Sequence, residues 1–294
     1  MNSGHRQVVI ATDASISLKS GFAESYRILV VPRRYRVGQQ TILSAEGPIR
    51  FATDRTLPML LPAQFDDFVE AYKQVGSTSI VSIHSPGTID NAVQQARIAR
   101  NVLSPTADIE IFETKTIDGG IQLLIETAAN FINSEKDATK DQVLALLERI
   151  HSHILTVLLS KGIGQLPCEP KPHSFQELVN LFGPRRLFKM DTAKAIFRPV
   201  SPREQIQEVR IQKDQQVIVQ WHHQHLTQAN RLFSEMIAWL GQDAFQVREI
   251  YSKNPIFPSH FIALVTFPDP VRITELVKWV KRWGRATIMS NHKE

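Results

Sequence analysis

The sequence predicts an α/β protein in two parts: an N-terminal α/β/α domain with a mainly parallel sheet over residues 1–160, and a C-terminal α+β domain over residues 161–294. Two observations lead to this prediction. In the first half, β-rich runs alternate with amphipathic helices, and strands joined by helices pair in parallel. After a Gly- and Pro-rich stretch at 162–173 this alternation stops, and short strand candidates follow with two helices among them.

The N-terminal elements come in a regular order. The β-rich runs at 7–13 and 26–37 are predicted strands, with Pro32 at a bend or an edge. A polar stretch with Gly and Pro at 38–62 is predicted to be a long loop. Apolar periodicity then predicts strands at 77–84 and 108–114 and helices at 64–75, 91–103, 118–132 and 140–161.

The C-terminal part reads as short strands interrupted by helices. Strands are predicted at 185–190, 194–200, 208–212, 216–222, 247–252 and 261–267, and helices at 226–241 and 271–284. The sequence shows no internal repeat and no low-complexity segment.

Composition narrows the class of protein. The chain has 294 residues, of which 43% are hydrophobic and 21% charged, as in globular proteins. No apolar run approaches the roughly 20 residues of a membrane span, and the N-terminus runs into a strand without an export signal. Cys168 is the only cysteine, so no internal disulfide and no cysteine zinc site can form. We therefore expect a cytoplasmic protein.

The net charge of +5 does not by itself identify the binding partner. A basic chain could bind nucleic acid, but the positive residues are dispersed along the sequence, which makes nucleic acid the weaker hypothesis. A basic face for an acidic protein partner, or for an anionic ligand head group, is an alternative that fits the same charge.

A turn between a predicted strand and a predicted helix, at residues 85–88, is a candidate anion site. Gly87 can adopt positive φ, and a helix starting near Ile89 would offer unpaired N–H groups and a partial positive charge. Thr88 could bond a ligand oxygen, or it could simply be the N-cap of that helix. The turn contains Pro86 and no lysine.

Six motifs in order along nearly the whole chain resemble the DegV family, bacterial two-domain proteins that bind a fatty acid between an α/β/α domain and an α+β domain. Thr12-Asp13-Ala14-Ser15 matches the family's T-D-S-T, Val30-Val31-Pro32-Arg33 its V-V-P-L, and Phe68-Val69-Glu70-Ala71-Tyr72 its F-x-E-A-Y. Residues 83–92 match the turn S-x-L-S-G-T-Y-x-S-A, Glu113-Thr114-Lys115 followed by Asp118-Gly119-Gly120 matches D-S-K and a Gly-rich helix, and Pro255 to His260 matches the start of P-x-x-x-x-H-x-G-P-G.

Departures from the family pattern fall on its ligand side. The resemblance implies two hydroxyls that reach the fatty-acid carboxylate, but Leu60 or Leu61 stands in place of the threonine and Pro86 in place of the serine. Gly164 stands where the family presents an arginine to its kinase partner, so the resemblance implies a weak kinase contact. The residues that fix the backbone conformation of the family's motifs are retained in this sequence.

The candidate ligand-binding residues follow from these matches and departures: they are Thr88, Gly87, His260, Asp13, Leu60, Leu61 and Pro86. His260 could donate to a carboxylate at the domain interface, or it could be an exposed histidine at the start of a strand.

Signals for catalysis, metals and cofactors are weak. The histidines at 222–225 have no acidic residue at ligand spacing nearby, and His151 and His153 do not share a face of their predicted helix, so we expect no metal site. No nucleotide-binding loop and no G-x-S-x-G motif occurs. Since no catalytic constellation is visible, the prediction is a non-enzyme that uses no cofactor.

The leading hypothesis is a long-chain fatty-acid binding protein of DegV type. Its acyl chain would lie in an apolar interdomain tunnel, with the carboxylate near the Gly87-Thr88 turn. The alternative is a scaffold that kept the fold, lost the ligand and acts through protein contacts. An enzyme or a nucleic-acid binder is the third hypothesis.

Overall fold

The structure is a computed structural model of the whole chain, and it describes residues 8–44, 59–76, 78–135, 137–160, 166–169, 186–200, 215–222, 247–251 and 261–268, with Lys278. For the strands within 215–268 the description covers the backbone alone.

In chain order the strands are β1 (Val8–Asp13), β2 (Leu29–Val31), β3 (Arg33–Val37), β4 (Gln40–Ser44), β5 (Met59–Leu60), β6 (Ser79–His84), β7 (Ile109–Glu113), β8 (Leu155–Ser160), β9 (Arg186–Asp191), β10 (Ile196–Pro199), β11 (Gln215–His222), β12 (Val247–Tyr251) and β13 (Phe261–Pro268). The helices are α1 (Phe22–Tyr26), α2 (Phe65–Lys73), α3 (Ala92–Leu103), α4 (Asp118–Ser134) and α5 (Lys140–His151).

The first sheet is parallel, which confirms the predicted fold class. Its order is β2-β1-β6-β7, and every neighbouring pair runs in parallel. Successive side chains of a strand point to opposite faces. Val81 and Ile83 of β6 therefore pack against α4 and α5 on one face, whereas Ile80 packs against α2 and α3 on the other. The result is an α/β/α sandwich.

The predicted strand at 26–37 and loop at 38–62 were wrong in detail. Residue 26 ends α1, and Pro32 separates β2 from β3, which belong to different sheets. Proline lacks an N–H and cannot continue a ladder, so the chain leaves the parallel sheet there. β3 then forms a three-stranded antiparallel sheet with β4 and β5, and these two partner strands lie within the stretch that we predicted to be a loop.

The predicted helix at 140–161 was too long. It begins with a capping box, in which the Thr139 side chain accepts from the Gln142 N–H and the Gln142 side chain accepts from the Thr139 N–H. It ends at His151, and residues 155–160 form β8 instead. β8 pairs with both β9 and β13 in a six-stranded sheet, and this ladder outweighs the local helical pattern.

The six-stranded sheet has the order β10-β9-β8-β13-β11-β12. All its pairs are antiparallel except β11 with β12, so this sheet is mixed and mainly antiparallel. The predicted strand at 208–212 lies outside the described residues, as do the predicted helices at 226–241 and 271–284 apart from Lys278. The division of domains at residue 160 stays a prediction.

A small apolar cluster joins the two sheets. Ile117, which precedes α4, packs with Leu158 of β8 and with Phe188 and Phe197 of β9 and β10. Beside it the hydroxyls of Thr116 and Thr156 are hydrogen-bonded at 2.8 Å. The second sheet is thus attached next to the carboxyl end of β7.

His151 at the end of α5 contacts the segment that follows β7. Its Nε2 accepts from the Lys115 N–H at 2.7 Å, and its ring meets Phe112 edge-on. Burial and the nearby Lys115 charge lower the pKa of His151. A histidine whose folded pKa is lowered contributes stability above the unfolded pKa of about 6.5, and this contribution is lost as pH falls through the folded value.

We expect the free energy of unfolding, measured by urea titration, to fall between pH 7 and pH 5 in the wild type and to fall less in His151→Gln. Glutamine can still accept from Lys115 but does not titrate. His153→Gln, at an exposed position, is the control and should keep the wild-type slope. An unchanged slope in His151→Gln would contradict the assignment.

Candidate functional site

Several of the candidate residues lie at the carboxyl edge of the parallel sheet. β1 ends at Asp13, β6 at His84 and β7 at Glu113, and the Pro86-Gly87-Thr88 turn follows β6 directly. Ligands of open α/β sheets bind outside the carboxyl ends of the strands. The turn therefore lies where such a site is expected.

The turn itself differs from the prediction. Helix α3 begins at Ala92 with Asn91 as its N-cap, so Thr88 is not the N-cap and the turn is not part of the helix N-terminus. Pro86 O accepts from the N–H groups of Ile89 and Asp90, which closes the turn on itself.

Close packing, not positive φ, explains the glycine at position 87. Positive φ occurs at other glycines of the described chain but not at Gly87. A Cβ on Gly87 would lie 3.0 Å from Gln94 Nε2 and 3.2 Å from Val93 Cγ1. Both distances are tight, so a side chain here would press on α3.

The turn binds a carboxylate of the protein itself, the side chain of Glu113. The Gly87 N–H donates to Glu113 Oε1 at 2.7 Å, and Arg97 Nη2 donates to Glu113 Oε2 at 2.6 Å. Glu113 and Arg97 are partly exposed, at 31% and 37%. The sequence analysis quoted Glu113 in a motif but assigned it no partner.

Thr88 connects the turn to the second sheet. Its hydroxyl donates to Ala195 O at 2.6 Å, in the tight connection between β9 and β10, where Ala195 has a φ of 53°. A hydroxyl has one proton to donate. While this bond is made, Thr88 cannot also donate to a ligand carboxylate.

Behind the turn lies a buried ion cluster of Asp13, Arg33 and Asp90, which the sequence analysis missed. Arg33 Nη1 donates to Asp90 Oδ2 at 2.7 Å and to Asp13 Oδ1 at 3.1 Å. Arg33 Nη2 donates to Asp90 Oδ1, also at 3.1 Å. The Arg33 side chain is 1% exposed and that of Asp13 is 0% exposed. The signal was present in the sequence, since Arg33 stands where the family has leucine.

The cluster holds its charges despite burial. Burial by itself raises the pKa of Asp13, but Arg33 and hydrogen bonds from His84 and Ser15 outweigh it and hold that pKa well below the usual range. Burial likewise lowers the pKa of Arg33, and Asp13 and Asp90 more than compensate, so the pKa of Arg33 is raised. Asp13 is therefore ionised in the interior, and both of its carboxylate oxygens are hydrogen-bonded to other side chains of the protein.

A second buried chain leads from Asp13 through His84 to Ser82. His84 Nδ1 lies 2.9 Å from Asp13 Oδ2, His84 Nε2 lies 2.7 Å from Ser82 Oγ, and Tyr72 donates to Ser82 Oγ at 2.8 Å. Ser82, His84 and Asp13 share the connectivity of a hydrolase triad, an arrangement that the sequence analysis did not find. All three are fully buried, so the Ser82 hydroxyl cannot reach a substrate. This hydrogen-bonded series of side chains is therefore structural.

The remaining candidates that the structure describes are Leu60, which ends β5, and Leu61, which follows it. Leu61 O accepts from Arg33 Nη2 at 3.1 Å, while Leu60 pairs with Tyr35 in the three-stranded sheet. Asn91 Oδ1 accepts from the Ala63 N–H at 3.0 Å. The structure thus brings Leu61, Asp13 and the turn together through Arg33 and Asp90. His260 and Gly164 lie outside the described residues.

Three further features concern other kinds of site. Within the described residues no helix is long and apolar enough to cross a membrane. The same part of the chain holds no group of three or more His, Cys, Asp or Glu that could bind a metal. A polar cavity of ≈ 300 Å³ lies at the opposite edge of the parallel sheet, lined by Val8, Ser79, Asp108, Thr139, Lys140 and Asp141.

Solved structures share the fold at low sequence identity. A fatty-acid-binding DegV family protein from Thermus thermophilus is 13% identical with a TM-score of 0.65, covering 89% of this chain and 99% of that one. DegV of Bacillus subtilis, described as a fatty acid binding protein, is 12% identical with a TM-score of 0.65, covering 90% and 99%. The Streptococcus pneumoniae fatty acid kinase B3 protein loaded with linoleic acid is 12% identical with a TM-score of 0.66, covering 89% and 99%.

Sequence comparisons give the family. The chain matches no curated protein sequence. A family model described as an uncharacterised protein of the DegV family matches residues 7–166, more than half of the chain. The resemblance read from the motifs is confirmed, and this chain belongs to the DegV family.

Proposed function

We propose that the protein binds a long-chain acyl lipid, with the head group at the Pro86-Gly87-Thr88 turn and the tail in the predicted tunnel between the two domains. The observation that carries the proposal is the position of the turn. It lies at the carboxyl edge of the parallel sheet and is bonded through Thr88 to the β9–β10 connection, so it stands where the two sheets meet. Three structural neighbours described above bind or carry fatty acids.

The tail supplies most of the affinity in this proposal. Each buried CH₂ contributes about 0.8 kcal/mol, so a sixteen-carbon chain could gain on the order of 10 kcal/mol before ordering costs. Binding can therefore persist although Leu60, Leu61 and Pro86 offer no hydroxyl to a head group. His260 remains a proposed donor from the C-terminal half.

A scaffold without a ligand is the second candidate function, and one observation favours it. The Gly87 N–H and the Thr88 hydroxyl are both bonded to acceptors of the protein itself. A site satisfied in this way needs no ligand, as expected of a protein that works through contacts with other proteins. Both candidates place the protein in the cytoplasm and neither requires a cofactor.

Native mass spectrometry of the purified protein, followed by displacement of a fluorescent acyl probe, tests the proposal. We expect a co-purified acyl lipid and displacement by sixteen- to eighteen-carbon competitors. Thr88→Val removes the bond to Ala195, so it should weaken probe binding, and a measured melting temperature separates lost binding from lost folding. Absence of both co-purified lipid and probe binding would favour the scaffold.

A further inference from the structure

The donors of the Pro86-Gly87-Thr88 turn are already in use. Its proline has no N–H, the Gly87 N–H donates to Glu113, and the Thr88 hydroxyl donates to Ala195 O. A head group that binds at the turn therefore needs a donor from a neighbouring residue.

Arg33, which the ion cluster holds behind the turn, has such a donor. Its two terminal nitrogens donate to Asp13, Asp90 and Leu61 O, but its Nε has no hydrogen-bond partner among the residues that the structure describes. The side chain is 1% exposed, so bulk solvent does not satisfy this donor. An unpaired donor on a buried charged group is destabilising, and a ligand oxygen that reached it would supply the missing bond.

The unpaired N–H points towards residue 61. The guanidinium is planar and its N–H bonds have fixed directions, so the Nε–H lies on the same side as one N–H of Nη2. Asp90 takes the other N–H of Nη2, because its two oxygens bind Nη1 and Nη2 end-on, and Leu61 O therefore accepts on the Nε side. Leu61 is partly exposed, whereas Asp13 and Asp90 are buried. The unpaired donor thus lies on the side of the guanidinium that has the most exposed neighbour.

We propose that the Arg33 Nε–H binds the head group of the acyl lipid, through a carbonyl or carboxylate oxygen that lies between Leu61 and the turn. Asp90, which fixes the guanidinium, also closes the turn, because its N–H donates to Pro86 O. The donor and the proposed head-group position are therefore connected through a single residue. The inference rests on the proposed acyl-lipid binding and names the head-group donor of that same site.

Arg33→Lys tests this, because lysine keeps the positive charge between the two carboxylates but has neither the Nε–H nor the planar fork. Palmitic acid, methyl palmitate and hexadecane are compared as competitors of a fluorescent acyl probe at neutral pH, and hexadecane alone has no head-group oxygen. In Arg33→Lys the affinity for the two oxygen-bearing ligands should fall at least about tenfold relative to hexadecane, the equivalent of one lost bond to a charged group. An equal loss for all three ligands would mean that Arg33 only supports the fold of the site, and would overturn the inference.

Arg36→Lys is the matched control. Arg36 lies on the same strand, is exposed, and has no ion pair within the described residues, so the affinities relative to hexadecane should stay at the wild-type values. The melting temperature of each variant reports whether it is folded.

A measurement on the wild type keeps the test open if Arg33→Lys does not fold. In proton–nitrogen correlation spectra of the arginine side chains, saturation with palmitic acid should move the Arg33 Nε–H resonance to lower field, because this N–H gains an acceptor. A resonance that saturation leaves unchanged would overturn the role of Arg33 while acyl binding stands. Failure of the probe to bind the wild type would instead overturn acyl binding, and the role of Arg33 with it.

Discussion

Replacing Arg33 with methionine should lower the free energy of unfolding by about 3–5 kcal/mol at pH 7, because removal of one partner of a buried ion pair leaves an uncompensated charge. Here two carboxylates would lose their cation, since Arg33 contacts both Asp13 and Asp90. Methionine fills a similar volume, so the loss measures charge more than packing. Urea unfolding monitored by circular dichroism measures the change.

The effect should shrink as the solution is made acidic. In the wild type the pKa of Asp13 is held low, so its contribution to stability is present above the ordinary pKa of about 3.9 and is lost as pH falls through the folded value. Without Arg33, burial raises that pKa, and protonation relieves the buried charge. The wild type and Arg33→Met should therefore differ less at pH 4 than at pH 7.

Arg36→Met is the matched control, because Arg36 lies on the same strand, is exposed, and has no ion pair in the described part of the chain. It should change the stability by less than about 0.5 kcal/mol. The double variant Arg33→Met with Asp90→Asn should be more stable than Arg33→Met. Equal losses in Arg33→Met and Arg36→Met would show that the cluster carries no net stabilisation.

The sequence was sufficient for the elements whose signal is local. The run at 77–84 is β-rich, and the helix at 91–103 has apolar residues at helical spacing, so β6 and α3 could be predicted within a few residues. Their alternation in turn required a parallel sheet. This reasoning uses only neighbours along the chain, which a sequence displays directly.

The errors fall where distant partners decide the structure. Residues 155–160 continue an apolar pattern that suits a helix, but β9 and β13 offer a ladder on both sides. Likewise β4 and β5 are short strands that exist through pairing with β3. Pairing of this kind leaves little trace in the local pattern, so the segments read as helix and loop.

The candidate site shows the same limit. The position of the Pro86-Gly87-Thr88 turn could be predicted, because a strand and a helix frame it in sequence. Its partners could not, since Glu113 is 26 residues away from Gly87 and Ala195 is 107 residues away from Thr88. A sequence shows which donors a turn offers, but only the fold shows which acceptors have already taken them.

Gly120→Ala should destabilise the protein by about 1–3 kcal/mol, as expected for overpacking a tight interior. A loss of stability would point to a steric contact at this position, because alanine in place of glycine within a helix ordinarily stabilises by about 0.5–1 kcal/mol. Gly120 lies in the first turn of α4, and a Cβ there would lie 2.8 Å from Thr116 Cγ2 and 2.9 Å from Thr116 Cβ. Thr116 is fully buried and cannot move without breaking its bond to Thr156.

A double-mutant cycle with Thr116→Ala separates this contact from a general intolerance of the helix. Thr116→Ala removes the methyl group and the hydroxyl but keeps the Cβ, so it relieves part of the contact, although it costs stability of its own by leaving Thr156 without that partner. Contacting residues typically couple by about 0.5–3 kcal/mol, so Gly120→Ala should cost at least about 1 kcal/mol less in the Thr116→Ala background. Additive losses would mean that Gly120 is required for another reason. Positive coupling would establish that glycine is needed here because α4 begins in direct contact with Thr116, where the parallel sheet and β8 of the second sheet are joined.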